Sequence, residues 1–141
     1  MVPVNYWAVL ASMVVMMVLG YLWYGPLFGK QWSRLMGWSD ETMREMQQKG
    51  NMAKSYGIMA LGALVMSFVL SHSLVFASAY LHESGVWAGL QTGFWNWLGF
   101  IVPVSFGGVL WEGKPWTLWM INAGYYLVGL LLIGVLLAVW V

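Results

Sequence analysis

The chain has 141 residues, 61% of them hydrophobic and 8% charged, and its mean hydropathy is +0.73. Soluble domains carry roughly a quarter charged residues, so six basic and five acidic side chains cannot cover a globule in water and the bilayer must be the solvent. The length suits one domain with no separate soluble module. The absence of cysteine excludes disulfide exchange, thiolate catalysis, iron–sulfur clusters and cysteine zinc sites.

Four uncharged runs are each long enough for the roughly 20 residues that cross a hydrocarbon core about 30 Å thick. Backbone groups in lipid must pair internally. Runs such as Leu130–Leu137 lack the alternation of a barrel strand, which leaves helices. The predicted spans are 5–25, 54–80, 86–110 and 116–140, and the expected fold is an all-α integral membrane bundle of four helices running up-down-up-down. The first run has neither a basic start nor a small-x-small site, so it is expected to be a retained span rather than a cleaved signal.

The first run ends in Gly20-Tyr-Leu-Trp-Tyr-Gly-Pro-Leu-Phe-Gly-Lys-Gln-Trp32. Trp23 and Tyr24 suit a headgroup belt, Pro26 stops the helix, and Gly29, Lys30 and Trp32 begin a polar loop. Within that loop Phe28, Trp32, Leu35 and Met36 share one face, with Lys30 and Arg34 opposite, the pattern of a short helix lying in the headgroups. Ser39 can cap a second short helix in which Asp40/Arg44 and Glu45/Lys49 are opposite-charge pairs, ended by Gly50.

Spans two and three are joined tightly through Leu81–Gly85, and spans three and four through Glu112–Pro115, so neighbours should be antiparallel. Pro115 suits the first helical turn, where a missing N–H costs nothing. Lys30, Arg34, Arg44, Lys49, Lys54 and Lys114 then lie on one side, and only Glu83 is charged on the other. A split of six to zero predicts a cytoplasmic basic side and both termini on the non-cytoplasmic side. The segment Gly108–Trp116 echoes Gly20–Trp32 in its Gly-x-Leu-Trp-x-Gly and Lys-x-Trp elements. Either duplicated halves or shared interface chemistry explains it.

Small residues recur at four-residue spacing at Gly85, Gly89 and Gly93 and at Ala63, Ser67 and Ser71. Such stripes let backbones approach where no hydrophobic effect drives helices together, and spans two and three are expected to pack through them. Ser12, Ser71, His72, Gln91, Thr92 and Asn96 sit in the outer half of the spans. They form either a polar pocket or a set of individually satisfied groups. No Asp or Glu lies inside a span, which makes His72 the candidate for proton coupling. Trp95 and Trp97 are too deep for interfacial anchoring and are expected to be packing. Asn122, Tyr125 and Tyr126 share a face of span four within reach of Trp23 and Tyr24.

Three pieces together resemble a family of small bacterial four-span proteins, the domain-of-unknown-function family one-seven-six-one. They are the Gly20–Trp32 segment, Gly99-Phe100, and Glu112-Gly-Lys-Pro115-Trp116 running on to Asn122 and Tyr125. The resemblance implies a bacterial cytoplasmic membrane protein and offers no activity. A histidine often follows the Gly-Tyr of span four in that family, whereas Tyr126 stands there in this chain.

No nucleophile–base pair, metal-ligand spacing or phosphate-binding glycine loop occurs, so no catalytic, cofactor or metal residue is assigned and an enzyme is disfavoured. The expected function is that of a non-enzymatic bundle that binds lipid, a second copy or a larger membrane complex, and not nucleic acid. The alternative is a small transporter or channel built on the outer polar pocket.

Overall fold

A computed structural model describes residues 2–48 and 52–141. Among them every element is helical. The helices are α1 (Tyr6–Leu22), extended by a wide π turn over Trp23–Leu27, then α2 (Gly29–Leu35), α3 (Asp40–Gln48) and α4 (Met52–Leu81). There follow α5 (Gly85–Asn96), extended by a second π turn over Trp97–Ile101, α6 (Val102–Ser105), α7 (Gly107–Leu110) and α8 (Trp116–Val139). Four continuous helical stretches, Tyr6–Leu27, Met52–Leu81, Gly85–Leu110 and Trp116–Val139, are long and apolar enough to cross a membrane.

Local chemistry sets the ends of these elements. Asn5 caps α1, its Oδ1 accepting from the N–H groups of Trp7 at 3.0 Å and Ala8 at 3.2 Å. Pro26 cannot donate and its ring would strike the carbonyl one turn back. The chain widens by one residue there, and the Phe28 N–H bonds the Trp23 carbonyl at 2.8 Å. Gly29 starts α2 because a Cβ at that position would sit 2.6 Å from the Tyr24 carbonyl oxygen. Ser39 caps α3 as its position suggests, with Oγ accepting from the Thr42 N–H at 3.2 Å. Lys49 and Gly50, the expected partner of Glu45 and the expected stop, lie outside the described residues. Pro115 precedes α8 with extended ψ, one residue earlier than a first-turn proline.

The bundle is organised around α8. Its longest contact is with α5, and it also packs along α1, which in turn lies against α4. The expected pairing of α4 with α5 through small residues is not what forms. Gly89 and Gly93 face α8 instead, and a Cβ on Gly89 would run into the carbonyl of Gly134, while one on Gly93 would meet the carbonyl of Leu130. The physical reason is a glycine on the partner. A Cβ on Gly134 would collide with the Gly89 carbonyl in return, so only two glycines allow this backbone contact. Gly85 is a turn residue at φ +70, reached through His82 at φ 57, and has nothing within 4 Å of its Cβ position. Ala63, Ser67 and Ser71 are buried on α4, whose main neighbour is α1.

The α1–α8 contact follows a different rule, in which a glycine on one helix receives a large side chain from the other. Gly20 lies against the Tyr125 ring, Gly124 against Trp23, and Gly129 against Met16. At one end of this pair Asn5 Nδ2 donates to the Trp140 carbonyl at 3.2 Å, and at the other Tyr24 meets Asn122. The first and last helices therefore run in opposite directions side by side.

The glycine contact predicts an asymmetric response to alanine. Gly89→Ala or Gly134→Ala should lower stability by about 1–3 kcal/mol through overpacking. Gly62→Ala, where no atom lies within 4 Å of the added methyl, should be neutral or slightly stabilising. Thermal unfolding in mild detergent followed by far-UV circular dichroism reads the difference.

Candidate functional site

At the end of the bundle that carries Lys30 and Lys114, the motif residues converge on the start of α8. The Trp23 indole N–H donates to the Ile121 carbonyl at 3.0 Å, and the Trp97 indole N–H donates to the Ala123 carbonyl at 2.8 Å. Each tryptophan opens one of the two π turns, each is followed by x-Gly, and together they grip α8 on both sides of Asn122. Asn122 Oδ1 accepts from the Tyr24 hydroxyl at 2.8 Å, and the Tyr125 hydroxyl donates to the Met16 carbonyl at 2.9 Å. Tyr24 stands edge-on to Tyr125 at 5.4 Å and to Trp32 at 5.3 Å, while Tyr126 stands edge-on to Tyr125 at 4.9 Å.

The polar tips of Trp23, Tyr24, Trp97 and Tyr125 are all spent on holding helices together, which makes the cluster a clasp. Trp32 also meets Trp38 at 4.9 Å, tying the loop helix α2 to the clasp through Tyr24. Lys30 and Glu112 are exposed, and Trp116 packs edge-on against Phe106 at 5.9 Å. The structural counterpart of Trp23 is Trp97, not the Trp111 that the Gly108–Trp116 echo suggested. The shared Trp-x-Gly with a proline shortly after was the available signal.

The polar residues of the opposite half do not form one pocket. Gln91, Thr92 and Asn96 line a cleft of about 150 Å³ between α4 and α5, joined by Ser73, Ser78 and Glu83. Ser71 lies elsewhere, in a hollow of about 260 Å³ beside Asn5, Leu137 and Trp140. His72 lines neither. Its Nδ1 lies 2.9 Å from the Phe68 carbonyl, and its ring lies 4.4 Å from that of Phe68. A carbonyl only accepts, so Nδ1 carries the proton. Ser12 is fully buried, and its Oγ has no hydrogen-bond partner among the described residues. The set separates because successive helical positions differ by about 100°. Residues 71, 72 and 73 of α4 thus point to three environments, and equal depth does not bring them together.

Glu83, from the tight connection between spans two and three, is the charged member of the cleft. It is half-buried, and Gln91 Nε2 donates to its Oε2 at 2.7 Å. The spacing of eight residues, about two helical turns, was the signal available for this contact. Asn96 Nδ2 donates to the Thr92 carbonyl at 2.8 Å, a bond within its own helix. Trp95, expected to be packing, is 61% exposed and forms part of the cleft rim. The cleft exists because the α5 glycines are committed to α8, which leaves α4 and α5 in weaker contact over this stretch. No group of three or more metal-ligating side chains occurs among the described residues.

Removing the Tyr24 hydroxyl tests the clasp. Tyr24→Phe should cost roughly 0.5–1.5 kcal/mol, the worth of one part-buried hydrogen bond, and Trp23→Phe a similar amount. A Tyr24→Phe, Asn122→Ala pair should cost less than the sum of its single changes, as expected when two residues share one bond. Reversible unfolding of the detergent-solubilised protein supplies the cycle.

Neither a curated protein nor a solved structure matches the chain. The family described as a protein of unknown function, DUF1761, matches residues 7–138, which include both halves of the clasp and the cleft, and the chain belongs to that family.

Proposed function

We propose that this is a non-enzymatic, multi-pass protein of the bacterial cytoplasmic membrane that binds a membrane-dissolved amphiphile in the cleft between α4 and α5. The observation that carries this reading is the cleft itself. It combines an apolar wall of Ala77, Ala88 and Trp95 with polar rungs at Gln91, Thr92 and Asn96. Both flanking helices belong to membrane-crossing stretches, so bilayer components have direct access to it. An amphiphile satisfies such a surface better than water or acyl chains alone, because each half of the molecule finds its own kind of partner.

The cleft also bears on the transporter alternative. Glu83 brings a carboxylate to a pocket that otherwise contains only neutral groups, whereas His72 lies outside it. A carrier function would therefore use Glu83 rather than His72 as its titratable group.

The distribution of charge supports an orientation. The contacts of Trp23 and Tyr24 with Ile121 and Asn122 bring the Lys30 and Lys114 ends of the chain together, while Glu83 lies at the far end of α4. We assign the basic end to the cytoplasm and the two termini to the other face.

Two experiments test these assignments. The chain has no cysteine, so Ser84→Cys and Ser39→Cys each create a single label site. In bacterial spheroplasts a membrane-impermeant maleimide should modify position 84 and spare position 39, and the reverse pattern removes the orientation. Gently extracted protein analysed by native mass spectrometry should carry about one amphiphile per chain. Ser73→Phe, which fills the cleft, should strip it. Protein that carries none, or a variant that carries as much as the parent, removes the binding reading.

A further inference from the structure

The hydrogen-bonding state of the cleft restricts what it accepts. Glu83 Oε2 and the Thr92 carbonyl are acceptor-only partners, so the side-chain nitrogens of Gln91 and Asn96 must be the atoms turned toward them. Each amide thereby commits one of its two N–H groups. Gln91 Oε1, Asn96 Oδ1 and Glu83 Oε1 remain without partners among the described residues, and all three are acceptors. The hydroxyls of Ser73, Ser78 and Thr92 can rotate to either role. No lysine, arginine or histidine lines the cleft.

We propose that the cleft is selective for a lipophilic primary amine in its protonated form, with the ammonium group on Glu83 and an N–H donated to the amide oxygen of Gln91 beside it. This deepens the amphiphile-binding reading above and rests on it. An ammonium provides three donors and a positive charge, which complements the Glu83 carboxylate and the free amide oxygen of Gln91 next to it. A phospholipid headgroup fits poorly, since its phosphate would stand beside Glu83 with no cationic side chain in the lining to offset it. A quaternary ammonium has the charge but no N–H to give.

The test uses the full-length protein in a non-ionic detergent. Native mass spectrometry counts bound dodecylamine, dodecyltrimethylammonium, dodecanol and dodecyl phosphocholine at neutral pH. Dodecylamine should bind the parent one to one and more tightly than the other three. Glu83→Gln should weaken dodecylamine at least about tenfold, the scale of a lost charge-assisted hydrogen bond, and leave dodecanol unchanged. Its amide oxygen can still accept from Gln91, so the turn keeps its hydrogen bond. Equal dodecylamine binding by parent and Glu83→Gln, or equal binding of dodecylamine and dodecyltrimethylammonium, overturns the amine selectivity. Preference for dodecanol or dodecyl phosphocholine overturns it too, while leaving amphiphile binding standing. If none of the four binds the parent, the amphiphile-binding reading falls with it.

Discussion

Gly89 and Gly134 bring two helix backbones so close that neither position has room for a methyl group. In lipid, where apolar side chains gain little by leaving their surroundings, such close approach is a main source of helix affinity. The contact commits α5 to α8 and thereby settles which helices become neighbours. Because α5 turns its glycines toward α8, its opposite side is left facing α4 and the bilayer. The cleft is thus a consequence of the strongest packing in the molecule rather than a gap in it.

The two ends of the bundle have been given different work. At the basic end, indole and phenol groups from α1 and α5 reach the first turns of α8, and each polar tip finds a partner on a neighbouring helix. The π turns make this possible. Each widens the helix by one residue at a tryptophan, and Pro26 and Pro103 close by keep the backbone from returning to a regular ladder. At the other end the polar side chains of α5 bond within their own helix or to the adjoining turn, so α4 and α5 are not locked together. The helices are thus tied to one another by side chains at the basic end, and α4 and α5 are less so at the other.

Glu83 and His72 show how a membrane helix alters ordinary expectations about charge. His72 lies well within a span, yet it satisfies its own helix and touches neither hollow. Glu83 lies in a three-residue connection, yet it turns back over α5 and becomes the charged group of the cleft. Depth along the sequence therefore says little about which titratable group a ligand would meet. The direction of each side chain around its helix decides that.

Composition and hydropathy were enough to determine an all-helical chain with four helices suited to a membrane. The uncharged runs are longer than any other element can use, and lipid leaves the backbone few choices. The caps at Asn5 and Ser39 and the break at Pro26 were legible for the same reason, being contacts between residues close in the chain. The reach of Trp23 and Tyr24 toward Asn122 was legible from the shared depth of the two motifs. Helix pairing was not. Gly85, Gly89 and Gly93 announced a close contact, but glycine has no side chain to name its partner, and a short loop to α4 was a misleading guide. Only the placement of Gly134 opposite Gly89 decided it. The cleft was hidden for a related reason, because a pocket belongs to the faces of two helices at once. Gln91, Thr92 and Asn96 could be seen at neighbouring depths of α5, but whether Ser71, His72 or Ser73 stood opposite depended on the rotation of α4, which tertiary packing alone determined.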